Sequence, residues 1–166
     1  MRFNMAWGTH MPVLINLTNK TSGPILELGT GLYSTPYLHW ACFDKKRTLV
    51  SYDSEEKYFN LSTQYRSDFH EVNFVTNWDE IPISDKKWDI AFIDNHPAEK
   101  RKDLALKVKD CARFIILHDA WWKEDYAYHY KEIYPLFKYI YIHPVTRKGP
   151  SAILSNFENT EVFYKS

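Results

Sequence analysis

Between residues 10 and 19 the apolar side chains Met11, Val13, Leu14, Ile15 and Leu17 fall at helical spacing, and residues 20–23 close the segment. This spacing predicts a first helix. Residues 24–28 form a short apolar run that breaks at Gly29-Thr30-Gly31, and Ser34 opens a segment with the character of a helix start. The pattern reads as strand, glycine turn, helix. A second strand is expected over residues 48–52, ending at Asp53, with a polar helix over 55–66 behind it. Further apolar runs predict strands at 72–75, at 89–93 ending in Asp94, and at 112–117 ending in His118-Asp119. Between the last two, residues 98–109 are charged but carry Leu104, Leu106 and Val108 on a helical pattern.

Strands that alternate with helices imply a parallel sheet with right-handed crossovers. The last third breaks that alternation. Residues 137–143 and 151–154 are strand-like and are joined by Thr146-Arg147-Lys148-Gly149-Pro150, too short for a helical crossover, so an antiparallel hairpin is expected. The fold class is therefore α/β, and 166 residues suit one domain, with 1–23 as an N-terminal helix and covering segment and 24–155 as the core.

Composition narrows the function classes. With 45% hydrophobic and 25% charged residues the chain reads as globular, and without 18 consecutive apolar residues or an apolar leader neither a membrane span nor a signal peptide is expected. Acidic and basic residues balance at 21 each, so no global positive field favours a nucleic-acid partner. Cys42 and Cys111 lack metal-type spacing and read as reduced thiols in a cytoplasmic setting.

A glycine turn after a first strand brings backbone close to a ligand, and the next helix offers free N–H groups there. In Gly29-Thr30-Gly31-Leu32-Tyr33-Ser34 the third glycine of a dinucleotide fingerprint is replaced by Ser34. Glu27 stands two residues before the turn, and a carboxylate suits a cationic ligand better than a pyrophosphate. Asp53 sits where an acidic side chain can accept hydrogen bonds from a ribose. The bland alternative is a tight turn at Gly29 and Gly31, with Asp53 capping the next helix.

At these residues the sequence resembles the class I S-adenosylmethionine-dependent methyltransferases. Ile25-Leu26-Glu27-Leu28-Gly29-Thr30-Gly31 is similar to their first motif and Val50-Ser51-Tyr52-Asp53 to their ribose-binding strand end. The runs 88–94 and 114–119 resemble their fourth and fifth strands, the latter in a subgroup that includes small-molecule O-methyltransferases. The resemblance covers residues 9–155. It implies a three-layer, doubly wound Rossmann-like sheet of seven strands in the order 3-2-1-4-5-7-6, with strand 7 antiparallel. It also implies S-adenosylmethionine as cofactor and S-adenosylhomocysteine as product. Glu27, Gly29, Thr30, Gly31 and Ser34 would then surround the methionine part and Asp53 would hold the ribose. Asn77, Trp78 and Asp79, after the third strand, would approach the adenine. Trp7 and His10 belong to a segment that closes over the cofactor in such enzymes.

Because a sulfonium methyl is already activated, a hydroxyl acceptor needs mainly alignment and loss of its proton. Asp94, Asn95 and His96 at one strand end converge with His118 and Asp119 at the next. His118 is the expected base, with Asp119 and Asp94 completing the catalytic set. Related catechol-type enzymes carry Asp-Asn after the fifth strand where this chain has His118-Asp119. A metal is accordingly not expected, and were one bound, Asp94 and Asp119 would hold it. His96, Trp121, Trp122 and Tyr126 are candidates to hold a flat acceptor, although Tyr126 and Tyr130 also have the spacing of a packing face. Residues 99–103, of mixed sign, read as a solvated helix face.

A nicotinamide oxidoreductase is disfavoured because Pro135 interrupts the Tyr134–Lys138 spacing such an enzyme would need. Asp94-Asn95-His96-Pro97 lacks the Pro-Pro-aromatic element of many N-methyltransferases. The expected function is O-methylation of a small hydroxyl acceptor, phenols included, whose pocket draws on the N-terminus, residues 119–135 or the second subunit of a homodimer. N-methylation of a small molecule, protein or RNA, and cofactor binding without turnover, are the alternatives.

Overall fold

The computed structural model describes residues 8–121, 125–145 and 149–163, with backbone alone for Val162 and Phe163. Seven strands form one sheet in the order β3-β2-β1-β4-β5-β7-β6. They are β1 (Ile25–Leu28), β2 (Leu49–Asp53), β3 (His70–Phe74), β4 (Trp88–Ile93), β5 (Ala112–Leu117), β6 (Tyr139–His143) and β7 (Ser151–Ser155). The first five are parallel, and β7 runs antiparallel to both β5 and β6. The order and the antiparallel strand match the sequence expectation.

Alternation along the central strands sends side chains to two separate layers. Ile25, Leu49, Ile90, Phe92, Phe114, Ile116 and Ile153 face α1 (Met11–Lys20) and α2 (Ser34–Asp44), which contribute Val13, Leu14, Leu17, Leu38 and Cys42. Leu26, Leu28, Ala91, Ile93, Ile115, Leu117 and Leu154 face the other way, onto Leu104, Ala105 and Val108 of α4 (Lys100–Val108) and Ile133 of α6 (Tyr130–Ile133). Both faces are covered, which is why β1, β4, β5 and β7 read as nearly continuous apolar runs. The remaining helices are α3 (Glu56–Ser62), against β2 and β3, and the single turn α5 (Asp125–Tyr128).

Among the boundaries that moved, two have a physical reason. The helix expected to reach residue 66 gives way to a 3₁₀ turn at Thr63–Tyr65, and β3 begins at His70 instead of residue 72. His70 is buried, with its ring on Ser51 and His39, so a polar residue holds a strand position that hydropathy does not mark. Among the described residues no helix is long and apolar enough to cross a membrane.

The parallel registers align the ends of four strands. Leu28 lies level with Tyr52 and Ile93, and Ile93 with Leu117. Hydrogen bonds carry the ladder one residue further, from Gly29 N to Tyr52 O (2.9 Å), Asp94 N to Leu28 O (2.7 Å) and His118 N to Ile93 O (3.2 Å). Gly29, Asp53, Asp94 and His118 therefore share one rim, at the carboxyl end of the sheet where open α/β folds bind ligands.

Candidate active site

A cavity of about 260 Å³ opens on that rim. Its floor is the glycine turn 29–34; Asp53, Glu55 and Tyr58 line one end, and His10, Asp94, Arg101, His118 and Asp119 the other.

The turn needs its first glycine. Gly29 has φ +92°, and a Cβ there would come within 2.5 Å of the Asp94–Asn95 peptide. Asp53 locks the turn from the side. Its Oδ2 accepts from Thr30 N (2.6 Å) and Thr30 Oγ1 (2.8 Å), while Oδ1 accepts from Glu55 N (2.7 Å). Burial raises the pKa of Asp53, and those hydrogen bonds offset part of the rise. Glu27 braces the turn from below. Gly31 N donates to Thr35 Oγ1 (2.9 Å), Thr35 donates to Glu27 Oε1 (3.0 Å), and Ser51 donates to Glu27 Oε2 (2.6 Å). Glu27 is fully buried, and that burial pushes its pKa up to about 7 against the hydrogen bonds it accepts. It supports the turn from below and is not among the residues that line the cavity.

At the other end Arg101 reaches from α4 under the rim. Nη2 lies 2.8 Å from Asp94 Oδ1, Nη1 lies 3.3 Å from Asp119 Oδ2, and Nε donates to Asn95 O (2.8 Å). The guanidinium also sits 4.9 Å from the Tyr128 ring centre. Desolvation would raise the pKa of Asp94, but the charges of His118 and Arg101 outweigh it and hold the carboxyl below its ordinary range. Residues 99–103 are thus more than a solvated face. Arg101 is buried and shares the inward side of α4 with Leu104, Ala105 and Val108, at the i, i+3, i+4, i+7 spacing by which it was findable.

His118 is 4% exposed, with Nε2 hydrogen-bonded and Nδ1 facing a carboxylate without a directed hydrogen bond. Nε2 is 3.0 Å from Thr9 Oγ1, whose hydroxyl donates to Gly149 O, and Nδ1 is 3.1 Å from Asp94 Oδ1. Burial lowers its pKa, but Asp94 more than restores it, so the ring holds its proton more tightly than a free histidine. His10 packs between Phe92 and His118, each ring centre 4.7 Å away, and burial lowers its pKa to about 3. It forms part of the cavity wall, where a covering segment was expected. Ligand-capable atoms of His10, Asp94 and His118 lie within 4.8 Å of one another. Asp119, the partner expected for Asp94 in any metal site, turns instead to Arg101 and Tyr128.

Other expected contacts fall outside the cavity. Trp78 is buried and its indole N–H donates to His96 O (3.0 Å), so it clamps the β4 loop instead of offering a stacking face. Asn77 bonds Glu80 and the backbone of Asp79, and Asp79 pairs with Lys100, all on the exposed surface. Tyr126 is 79% exposed; neither it nor Trp121 lines the cavity. Exposed His96 does, together with Ser34. Trp7 and Trp122 lie outside the described residues. Sequence reasoning missed Thr9, Tyr33, Glu55, Tyr58 and Arg101.

No protein-family model matches the sequence, and no curated protein matches it. Solved structures do resemble the fold. Human methyltransferase-like protein 13 in complex with SAH aligns at TM-score 0.66 and 15% identity, over 92% of this chain and 84% of that one. The fold is a methyltransferase fold. The N-terminal domain of human METTL16 in complex with SAH aligns at TM-score 0.63 and 13% identity, over 95% and 73%. The human METTL16 catalytic domain in complex with MAT2A 3′UTR hairpin 1 aligns at TM-score 0.66 and 10% identity, over 95% and 72%.

Proposed function

We propose that this chain is an S-adenosylmethionine-dependent methyltransferase. The observation that carries the reading is the shared cavity, where a glycine turn locked by Asp53 opens beside the Asp94–His118 cluster on a methyltransferase sheet. The cofactor supplies an activated methyl group. The chain's residues would hold it along the turn 29–34, with Asp53 and Glu55 at the ribose end, and present the acceptor from the side of Asp94 and His118. A hydroxyl acceptor fits this polar wall, and a small-molecule O-methyltransferase remains our reading of the acceptor class. A second reading, N-methylation of RNA or protein, draws on the METTL16 hairpin complex. The balanced charge of the chain favours the first.

Calorimetry with the purified protein is expected to show binding of S-adenosylmethionine and S-adenosylhomocysteine and none of comparable strength for NAD. Asp53→Ala should weaken that binding by about tenfold or more, since Thr30 loses the acceptor that shapes the turn. Binding of NAD with neither sulfur nucleotide would sink the proposal. A methyl-transfer screen over phenols, catechols, carboxylates, amines and RNA then separates the acceptor classes.

A further inference from the structure

We propose that His10, Asp94 and His118 form a binding site for one divalent transition-metal ion of the zinc type, with its open coordination positions facing the cavity. The three residues come from the start of α1 and the ends of β4 and β5, and their ligand-capable atoms lie within 4.8 Å of one another.

The hydrogen-bond chain fixes which atom His118 offers. Thr9 donates its hydroxyl proton to Gly149 O, so its oxygen must accept from His118, which places a proton on Nε2. In the neutral ring the lone pair then lies on Nδ1, the nitrogen that faces Asp94 Oδ1 at 3.1 Å. A lone pair and a carboxylate repel at that distance unless a positive species sits between them. The contact lacks the alignment of a directed hydrogen bond, which leaves the place between the two atoms open to a cation. Two ligands of a tetrahedral ion with bonds of about 2.0–2.2 Å stand roughly 3.3–3.6 Å apart, a few tenths of an ångström beyond this separation. The Thr9 contact on the far nitrogen fixes the ring's tautomer and orientation, as such contacts commonly do for metal-ligating histidines.

His10 supplies the independent observation. Its side chain is 2% exposed, and neither Nδ1 nor Nε2 has a hydrogen-bond partner. Buried polar atoms are nearly always satisfied, and this ring lies edge to face with His118 on the cavity wall. A shared ion would take one nitrogen of each ring. Charge leaves room for it, because Arg101 is matched by Asp94 and Asp119 together, which leaves one negative charge when the histidines are neutral. Two imidazoles and one carboxylate favour zinc, cobalt or ferrous iron over magnesium and calcium, which prefer oxygen.

The test uses wild-type protein stripped with a chelator and titrated with Co²⁺, then competed with Zn²⁺. The expected result is one equivalent of cobalt, displaced by zinc, with X-ray absorption of the zinc form showing scattering from two imidazoles. His10→Gln and Asp94→Asn should each weaken zinc binding by about a hundredfold, while His129→Ala, on the exposed surface, should not change it. An all-oxygen shell in the wild type, or no stoichiometric cobalt binding, would overturn the proposal without requiring any variant to fold. Equal zinc affinity in folded His10→Gln would do so as well. None of these outcomes depends on methyl transfer.

Discussion

Arg101→Met is expected to lower the folding free energy by about 3 kcal/mol, the lower end of the range for breaking a buried ion pair. The methionine fills most of the volume but leaves Asp94 and Asn95 O without the guanidinium and Asp119 with Tyr128 alone. The lower end applies because the two carboxylates keep about a quarter of their surface in water, with side-chain exposures of 25% and 26%. Arg101→Lys should recover only part of the loss, since an ammonium cannot span both carboxylates and the carbonyl as the planar guanidinium does. Urea unfolding of the three proteins at one pH measures this. A methionine variant within about 0.5 kcal/mol of wild type would show that the network contributes nothing to the fold.

What was legible in the sequence, and what was not, divides along physical lines. Strand and helix order follows from hydrophobic period, a local property, and the rim at Gly29, Asp53, Asp94 and His118 follows from parallel strands ending level. Residues whose role depends on direction were harder. Arg101 sits in a run of charges that looks solvated, and only its phase on α4 turns it inward. Trp78 looked like a stacking platform because its position beyond β3 is suggestive, yet its N–H is spent on His96 O. His10 lines the cavity as part of its wall, packed on His118. Nothing local in residues 8–10 reveals that the ring would be buried against His118, which is distant in sequence and adjacent in space.

The second large effect concerns pH and Glu27. Its pKa is raised by burial to about 7, with the nearby charge of Asp53 acting in the same direction and the hydroxyls of Ser51, Ser34 and Thr35 acting against it. In the unfolded chain the group titrates near its ordinary 4.5. Below that value both states are protonated, and the contribution of Glu27 to stability is fully present. As pH rises toward 7 the unfolded state releases the proton while the folded state retains it, so this contribution is lost with rising pH. The shift corresponds to about 3 kcal/mol. His70, linked to Glu27 through Ser51 and lowered to about 4, works in the opposite direction: its stabilisation is present above its ordinary value and lost as pH falls. The raw curve therefore mixes the two, and the informative quantity is the difference between wild type and Glu27→Gln. From about pH 4 to about pH 8 that difference should move by about 3 kcal/mol in favour of the glutamine variant, measured by urea unfolding at each pH. The amide keeps an oxygen to accept from Thr35 or Ser51, so the variant should still fold and hold the turn. A pH-independent difference would mean that Glu27 ionises at its ordinary value. The turn would then rest on a buried carboxylate instead of a protonated acid.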